Sequence, residues 1–282
     1  MKTYAIGDVH GRADLLGEML EFIAGENIDD PQAYRVVFLG DIIDRGPDSR
    51  IAMDLVVAEL GRHAQSRLIV GNHEEFLLYF LDLPEKRDLV FGHWMNNGGL
   101  ACATSYGLDA TKPYTDLREA HRDLMDLLDR NSDHVAAIRA AESSVVDGDY
   151  ILVHAGLRPG VPLGGQTTKD LRTIRAAFLD SDFDFGQVVV HGHTVTASGR
   201  PEVYANRIAL DTSGGQKDVS LSAVVLEAGR PNRFLAARHG AGRVKVNTIE
   251  PLIAGLQEGD AKPRRLAGLV AELPLRPGAK LQ

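Results

Sequence analysis

Five short apolar runs, each leading into a glycine, histidine or aspartate, set the frame for any fold of this chain. The runs are rich in β-branched residues and do not alternate with polar residues. Such runs are typical of strands that are buried on both faces of a sheet. We therefore expect polar side chains to collect where the strands end, and we place the strands at 4–6, 36–39, 68–70, 151–153 and 188–190.

Helical patterns lie between these runs. Leu16, Met19, Leu20 and Ile23 repeat at the spacing of one helix face, and residues 51–60 give a second helical segment. An alternation of strand, helix and strand is the signature of an α/β fold.

Residues 75–148 interrupt this alternation with a long helical pattern, and we interpret them as a mostly helical cap inserted into the α/β body. Short alternating segments between 203 and 246 predict a second set of strands. The α/β body then spans 1–257, and the proline-containing residues 258–282 form a C-terminal tail.

The net charge and the cysteine content argue against some classes of function and some compartments. The 282 residues carry a formal net charge of −8, which argues against a surface that neutralises a nucleic-acid backbone or an anionic membrane. Cys102 is the single cysteine, so no intrachain disulfide can form and a reducing compartment fits best. We therefore expect a cytoplasmic protein without a nucleic-acid or membrane partner.

The five strand ends carry polar clusters that pair glycine with potential metal ligands, namely residues 7–11, 40–46, 71–74, 153–156 and 191–194. Glycine lets the backbone approach an ion, and Asp, His and Asn supply oxygen and nitrogen donors for first-row metals. A single cluster of this kind is as often a structural turn as a ligand site. Five clusters of buried polar groups would be costly without a charge partner, and a pair of bound cations is the simplest compensation.

In this order, the clusters GDVHG, GDIIDRG, GNHE, VHAG and HGHT resemble the successive motifs of the calcineurin-like metallophosphoesterases. Within that family they are most similar to the protein serine/threonine phosphatases and their bacterial relatives. The resemblance extends from Gly7 to Thr194 and implies a four-layer α/β/β/α sandwich, which agrees with the strand pattern. It also implies that residues 1–257 form a catalytic domain.

The resemblance implies a site for two divalent metal ions. The matching positions are Asp8 and His10 for the first metal, Asp41 as the bridging carboxylate, and Asn72, His154 and His193 for the second metal. His191 is the alternative to His193, or a residue that orients a neighbouring ligand. Oxygen and nitrogen donors suit manganese, iron or zinc, and manganese is the first expectation.

The resemblance further implies that His73 is the proton donor, with Asp44 holding its ring, and that hydroxide between the metals attacks phosphorus directly. Arg45 offers a planar fork for phosphate, and a second arginine is expected after His154. Arg175 is our choice for this second arginine, with Arg172 and Arg158 as rivals. The sequence does not decide whether Trp94 lines the substrate mouth or packs within the cap.

Our first functional hypothesis is a metal-dependent phosphomonoesterase that acts on phosphoserine or phosphothreonine in proteins. It rests on Asp44 and Arg45, which together resemble the protein-phosphatase form of the motif. The alternative within the family is hydrolysis of a small phosphoester, a dinucleoside polyphosphate such as diadenosine tetraphosphate, by a bis(5'-nucleosyl)-tetraphosphatase. A non-catalytic scaffold with bound metal is disfavoured, because every implied ligand and the acid pair are present.

Overall fold

Two six-stranded mixed sheets form the centre of the computed structural model, which describes residues 1–213, 219–240 and 242–254. The strands in chain order are β1 (Lys2–Ile6), β2 (Tyr34–Phe38), β3 (Arg67–Leu68), β4 (Ser144–Asp147), β5 (Tyr150–Val153), β6 (Val188–His191), β7 (Glu202–Val203), β8 (Arg207–Ala209), β9 (Ser220–Leu226), β10 (Arg233–Gly240), β11 (Arg243–Ile249) and β12 (Leu252–Ile253). The predicted tail, 258–282, lies outside the described residues.

The helices lie on both sides of the paired sheets and in the segment between β3 and β4. They are α1 (Ala13–Glu26), α2 (Ser49–Arg62), α3 (Asn72–Asp82), α4 (Arg87–Trp94), α5 (Leu100–Ser105), α6 (Leu117–Asp129), α7 (Ser132–Arg139), α8 (Thr168–Thr173) and α9 (Ala176–Leu179). A wider turn, Met95–Gly99, joins α4 to α5. Within the described residues, none of the helices is long and apolar enough to cross a membrane.

Each sheet has a parallel centre. The first sheet runs β11-β10-β9-β1-β2-β3, and in it β1, β2 and β3 are parallel. The second runs β12-β7-β8-β6-β5-β4, and in it β5, β6 and β8 are parallel. Because parallel strands end at the same edge of a sheet, the residues that follow them are brought together.

Alternating side chains divide the core into layers. Tyr4 and Ile6 of β1 pack with the helices on the outer face of the first sheet, whereas Ala5 lies in the core between the two sheets. On the outer face of the second sheet, Ile151 packs with Phe178 of α9. The order is therefore helix, sheet, sheet, helix, which confirms the predicted four-layer α/β fold.

The five predicted strands are all present, and the predicted helical segments lie within α1 and α2. Residues 75–148 are mostly helical but also contain β4, which pairs with β5 in antiparallel register. The sequence pattern missed β4 because it holds only two apolar residues, Val145 and Val146, and Val146 is 54% exposed. The limits of the catalytic domain, 1–257, stay a prediction.

Phe234 tests the core between the sheets. It is 2% exposed, and Phe234→Ala should lower the free energy of unfolding by about 3–5 kcal/mol, because it removes a large buried ring and leaves a cavity. The control, Val146→Ala, changes an exposed strand residue and should cost less than about 1 kcal/mol. Urea unfolding measures both variants. Similar losses for the two would contradict this account of the core.

Candidate metal centre

The predicted ligands lie just beyond the carboxyl ends of strands from both sheets: Asp8 and His10 after β1, Asp41 after β2, Asn72 after β3, His154 after β5 and His193 after β6. Backbone hydrogen bonds join neighbouring ends. The amide of His10 donates to the carbonyl of Asp41 at 2.8 Å, and that of Gly192 donates to the carbonyl of His154 at 2.8 Å. Across the two sheets, His154 Nδ1 donates to the carbonyl of Leu39 at 2.8 Å, so the strand ends form one polar rim.

Asp41 lies at the centre of this rim, with one oxygen toward each of two groups of ligand atoms. Its Oδ2 is 3.7 Å from His10 Nε2 and 3.9 Å from His73 Nε2. Its Oδ1 is 3.4 Å from His154 Nε2, and His193 completes this second group. A carboxylate shared by two groups of donors is the arrangement that a bridging ligand requires.

Asp8 and Asn72 extend the two groups. Asp8 Oδ2 is 4.0 Å from His10 Nε2, and the Asp8 carboxylate accepts the backbone N–H of His193 at 3.1 Å. Asn72 Oδ1 lies 3.1 Å from His154 Nε2. All six predicted ligands therefore lie at one rim. Within the described residues, the compact donor groups are His10 with Asp41 and His73, and Asp41 with His154 and His193, so neither Asp8 nor His191 belongs to them.

The charges at this rim favour bound cations. Asp8, Asp41 and Asp211 are all at most 3% exposed. Burial raises the pKa of the Asp8 carboxyl well above its ordinary range, and the charges of Asp211 and Asp41 raise it further. Burial alone would also raise the pKa of Asp41, but the rings of His154 and His73 outweigh it and lower the pKa. Divalent cations would offset this concentration of negative charge.

The histidines are in the form that binds metals. Burial lowers the pKa of both His10 and His193 to about 3, so their rings are neutral near pH 7. In the described part of the chain, His193 Nε2 is buried and has no hydrogen-bond partner. A buried ring nitrogen without a partner is destabilising unless a ligand fills the position. The donor set and this nitrogen together fit a pair of divalent cations.

His73 and Asp44 form the predicted acid pair. His73 Nδ1 donates to Asp44 Oδ2 at 2.6 Å, and Asp44 is completely buried. Burial alone would lower the pKa of His73, but the charge of Asp41 and the bond to Asp44 outweigh it and raise the pKa. Arg45 donates to His73 Nε2 at 3.0 Å, so it competes with a proton for that nitrogen.

The candidate phosphate arginines differ in their partners. Arg158 forms two hydrogen bonds to Asp170, at 2.6 and 2.9 Å, and Arg172 is paired with Glu75. Arg175 is exposed and lies near enough to His193 for its charge to lower the pKa of that ring. Its backbone carbonyl accepts the N–H groups of Phe178 and Leu179, but its guanidinium makes no hydrogen bond to the described residues. Of the three predicted candidates, Arg175 therefore has the guanidinium that is free to bind a substrate.

The rim is strained. Within the described residues, positive φ angles at non-glycine positions occur only here: His10 at 46°, Asp41 at 51°, Asp44 at 75°, Arg45 at 65° and His193 at 63°. L-residues rarely adopt this conformation, and each one costs about 1–3 kcal/mol. The surrounding structure holds the side chains in place against this cost, which is typical of functional sites.

Two glycines allow the backbone to approach the carboxylates. A Cβ atom at Gly71 would lie 2.2 Å from Asp41 Oδ1, and one at Gly192 would lie 2.0 Å from Asp8 Oδ1. Both distances are far below van der Waals contact. Glycine at these positions is thus required by the placement of the ligands.

Glu74 is a residue whose role the sequence reasoning missed, although it stands in the GNHE motif. Its completely buried carboxylate accepts the backbone N–H groups of Gly71 at 2.9 Å, Asp41 at 2.8 Å, Ile42 at 2.7 Å and Ile43 at 3.2 Å. These bonds hold the turn after β2 against the start of α3. Asp211 was also missed, although it follows β8 as the named ligands follow their strands.

A family model described as calcineurin-like phosphoesterase matches residues 1–197, which is more than half of the chain. The chain belongs to the calcineurin-like phosphoesterase family. This result confirms the family resemblance that the ordered motifs indicated.

Similar curated members include proteins named symmetrical bis(5'-nucleosyl)-tetraphosphatase. The one from Dechloromonas aromatica (strain RCB) is 34% identical over 159 residues, which cover 56% of this chain and 45% of the relative. The one from Legionella pneumophila (strain Lens) is 31% identical over 120 residues, which cover 37% of this chain and 41% of the relative. The chain thus matches less than half the length of these relatives.

A solved structure supports the fold assignment. The "Crystal structure of a putative diadenosine tetraphosphatase" has a TM-score of 0.52 and 19% sequence identity to this chain, and the match covers 86% of this chain and 95% of the other. At this level of identity, the similarity concerns the fold alone.

Asp41→Asn tests the shared carboxylate. Because each Asp41 oxygen faces a different group of donors, we expect the variant to bind Mn²⁺ at least about tenfold more weakly and to retain less metal per chain. Titration calorimetry and elemental analysis measure these changes. Asp29→Asn, the same substitution at an exposed position, is the control. Equal metal content in the two variants would exclude Asp41 as a ligand.

Glu74→Gln tests the support of the turn. Glutamine is nearly isosteric with glutamate. However, its NH2 group cannot accept a hydrogen bond, so the backbone N–H groups that bond to the replaced oxygen would lose their acceptor. We expect the free energy of unfolding to fall by about 2 kcal/mol. Glu85→Gln, at an exposed site, should cost less than about 0.5 kcal/mol in the same urea titration. A Glu74 variant as stable as this control would refute the role of the carboxylate.

Proposed function

We propose that this chain is a metal-dependent phosphoesterase. The observation that carries the proposal is the two groups of donor atoms that share Asp41, one with His10 and His73 and the other with His154 and His193. His73 is also hydrogen-bonded to Asp44. Two divalent cations, which we expect to be Mn²⁺, would supply a hydroxide at neutral pH and neutralise charge on the phosphoryl oxygens. Asp8, His10, Asp41, Asn72, His154 and His193 would hold them.

The side chains around the ligands supply the remaining steps. Negative charge grows on the leaving oxygen as its bond to phosphorus breaks, and His73 is placed to donate a proton to it. Asp44 orients the His73 ring through Nδ1. Arg45 and Arg175 present guanidinium groups to the phosphoryl oxygens, and when Arg45 turns to the substrate it frees His73 Nε2 for the proton.

The substrate class that we propose is a dinucleoside polyphosphate. Support comes from the similar members named symmetrical bis(5'-nucleosyl)-tetraphosphatase. Arg45 and Arg175 are both exposed, and two separate cationic groups suit a substrate with several phosphoryl groups. These comparisons favour the alternative of the sequence analysis over its first choice. A phosphoprotein phosphatase stays the second candidate, because Asp44 and Arg45 match that form of the motif. A cytoplasmic location also stays a prediction.

A substrate panel separates these candidates. With Mn²⁺ present, we expect kcat/KM for diadenosine tetraphosphate to exceed that for a phosphoserine or phosphothreonine peptide by at least about tenfold. Chromatography identifies the products, and two ADP molecules from each substrate molecule would indicate cleavage at the symmetrical position. Asp41→Asn protein, prepared in parallel, is the control for contaminating phosphatases. A preference for the phosphopeptide would overturn the proposed substrate, and failure on every ester would overturn the proposed activity.

A further inference from the structure

Trp94 contacts the acid pair from the cap. It is the last residue of α4 and is completely buried. Its indole Nε1 donates to Asp44 Oδ2 at 2.8 Å and to Asp44 Oδ1 at 3.0 Å. Asp44 Oδ2 is also the atom that accepts His73 Nδ1. Trp94 and His73 therefore hold the same carboxylate from two sides.

The turn that follows Trp94 holds the neighbouring arginine. The carbonyl of Gly98 accepts the backbone N–H of Arg45 at 3.0 Å. A Cβ atom at Gly99 would lie 2.5 Å from Trp94 Cδ1, so this turn folds tightly against the indole. The segment Trp94–Gly99 thus contacts both Asp44 and Arg45, two adjacent residues of the strained rim.

A packing role alone does not account for this contact. Trp94 packs against Phe80, with ring centroids 5.7 Å apart, and a phenylalanine in its place would keep an aromatic ring in that position. Phenylalanine has no N–H, however, and would leave the buried Asp44 carboxylate without the two hydrogen bonds that the indole donates. A carboxylate that orients a histidine needs its other lone pairs satisfied, since otherwise it is free to rotate away from the ring.

We propose that Trp94 is a positioning residue for the proton donor: its N–H fixes the Asp44 carboxylate, and through it the direction in which His73 presents Nε2. This inference rests on the proposed phosphoesterase function. It predicts that the loss of the N–H affects the departure of a leaving group that requires a proton and has little effect on substrate binding.

Trp94→Phe tests this role with two aryl phosphates. Phenolate is a poor leaving group that needs the proton, whereas p-nitrophenolate departs readily without it. We expect kcat for phenyl phosphate to fall at least about tenfold more than kcat for p-nitrophenyl phosphate, with KM nearly unchanged. Phe91→Leu, a buried substitution on the same helix without a contact to Asp44, is the matched control and should affect both substrates alike. Thermal unfolding and metal content verify that each variant is folded and loaded.

If Trp94→Phe lowers kcat equally for the two esters, or if Phe91→Leu changes the ratio of the two kcat values by the same factor, the positioning role is wrong.

A second measurement does not require turnover, because Trp94 is the single tryptophan of the chain. Negative charge near the pyrrole ring lowers the energy of the indole excited state, so Asp44→Asn should shift the emission to shorter wavelength. Unchanged emission would show that the contact is absent in solution. If wild-type protein hydrolyses no ester while the emission shifts, the proposed function fails and the contact stands.

Discussion

The burial of negative charge is the constraint on which the rest of this structure depends. Asp8, Asp41 and Asp211 lie together with almost no exposure to water, and burial and the charges of Asp211 and Asp41 raise the pKa of Asp8. The neighbouring histidines cannot all offset it, since His10 and His193 are neutral near pH 7. Cations bound between these groups would offset this cost, so the arrangement suits a metal centre whatever the substrate is.

The backbone at the rim follows from that constraint. Strand ends from two sheets approach one point only if the chain turns sharply after each strand, and five non-glycine residues adopt positive φ there. Glu74 holds one of these turns through four backbone N–H groups, at the end of the first sheet where Asp41 lies. The helical and inter-sheet cores lie beneath and supply the stability that the strained rim lacks.

The five buried strands and the clustering of the six predicted ligands follow from the sequence, because each polar cluster comes soon after a recognisable strand. The four layers were implied by the family resemblance, and β4 was missed. It did not reveal the roles of Glu74 and Trp94. Trp94 is 50 positions from Asp44, and Glu74 is 33 positions from Asp41, so a motif shows neither partner. The presence of Asp44 and Arg45 in the sequence also does not identify the substrate. Asp44 bonds to His73, and the role proposed for Arg45 is contact with a phosphoryl group, which phosphoproteins and dinucleotides have in common.

The rim is built in two halves by different parts of the chain. The six predicted ligands follow strand ends, whereas the cap segment Trp94–Gly99 bonds to Asp44 and Arg45 through Trp94 Nε1 and the carbonyl of Gly98. The predicted ligands follow strands of two sheets with parallel centres, and the segment Trp94–Gly99 belongs to none of these strands. We therefore expect substitutions in Trp94–Gly99 to act first on Asp44 and Arg45. A change at this place would alter the surroundings of these two residues while the strand ends keep their register.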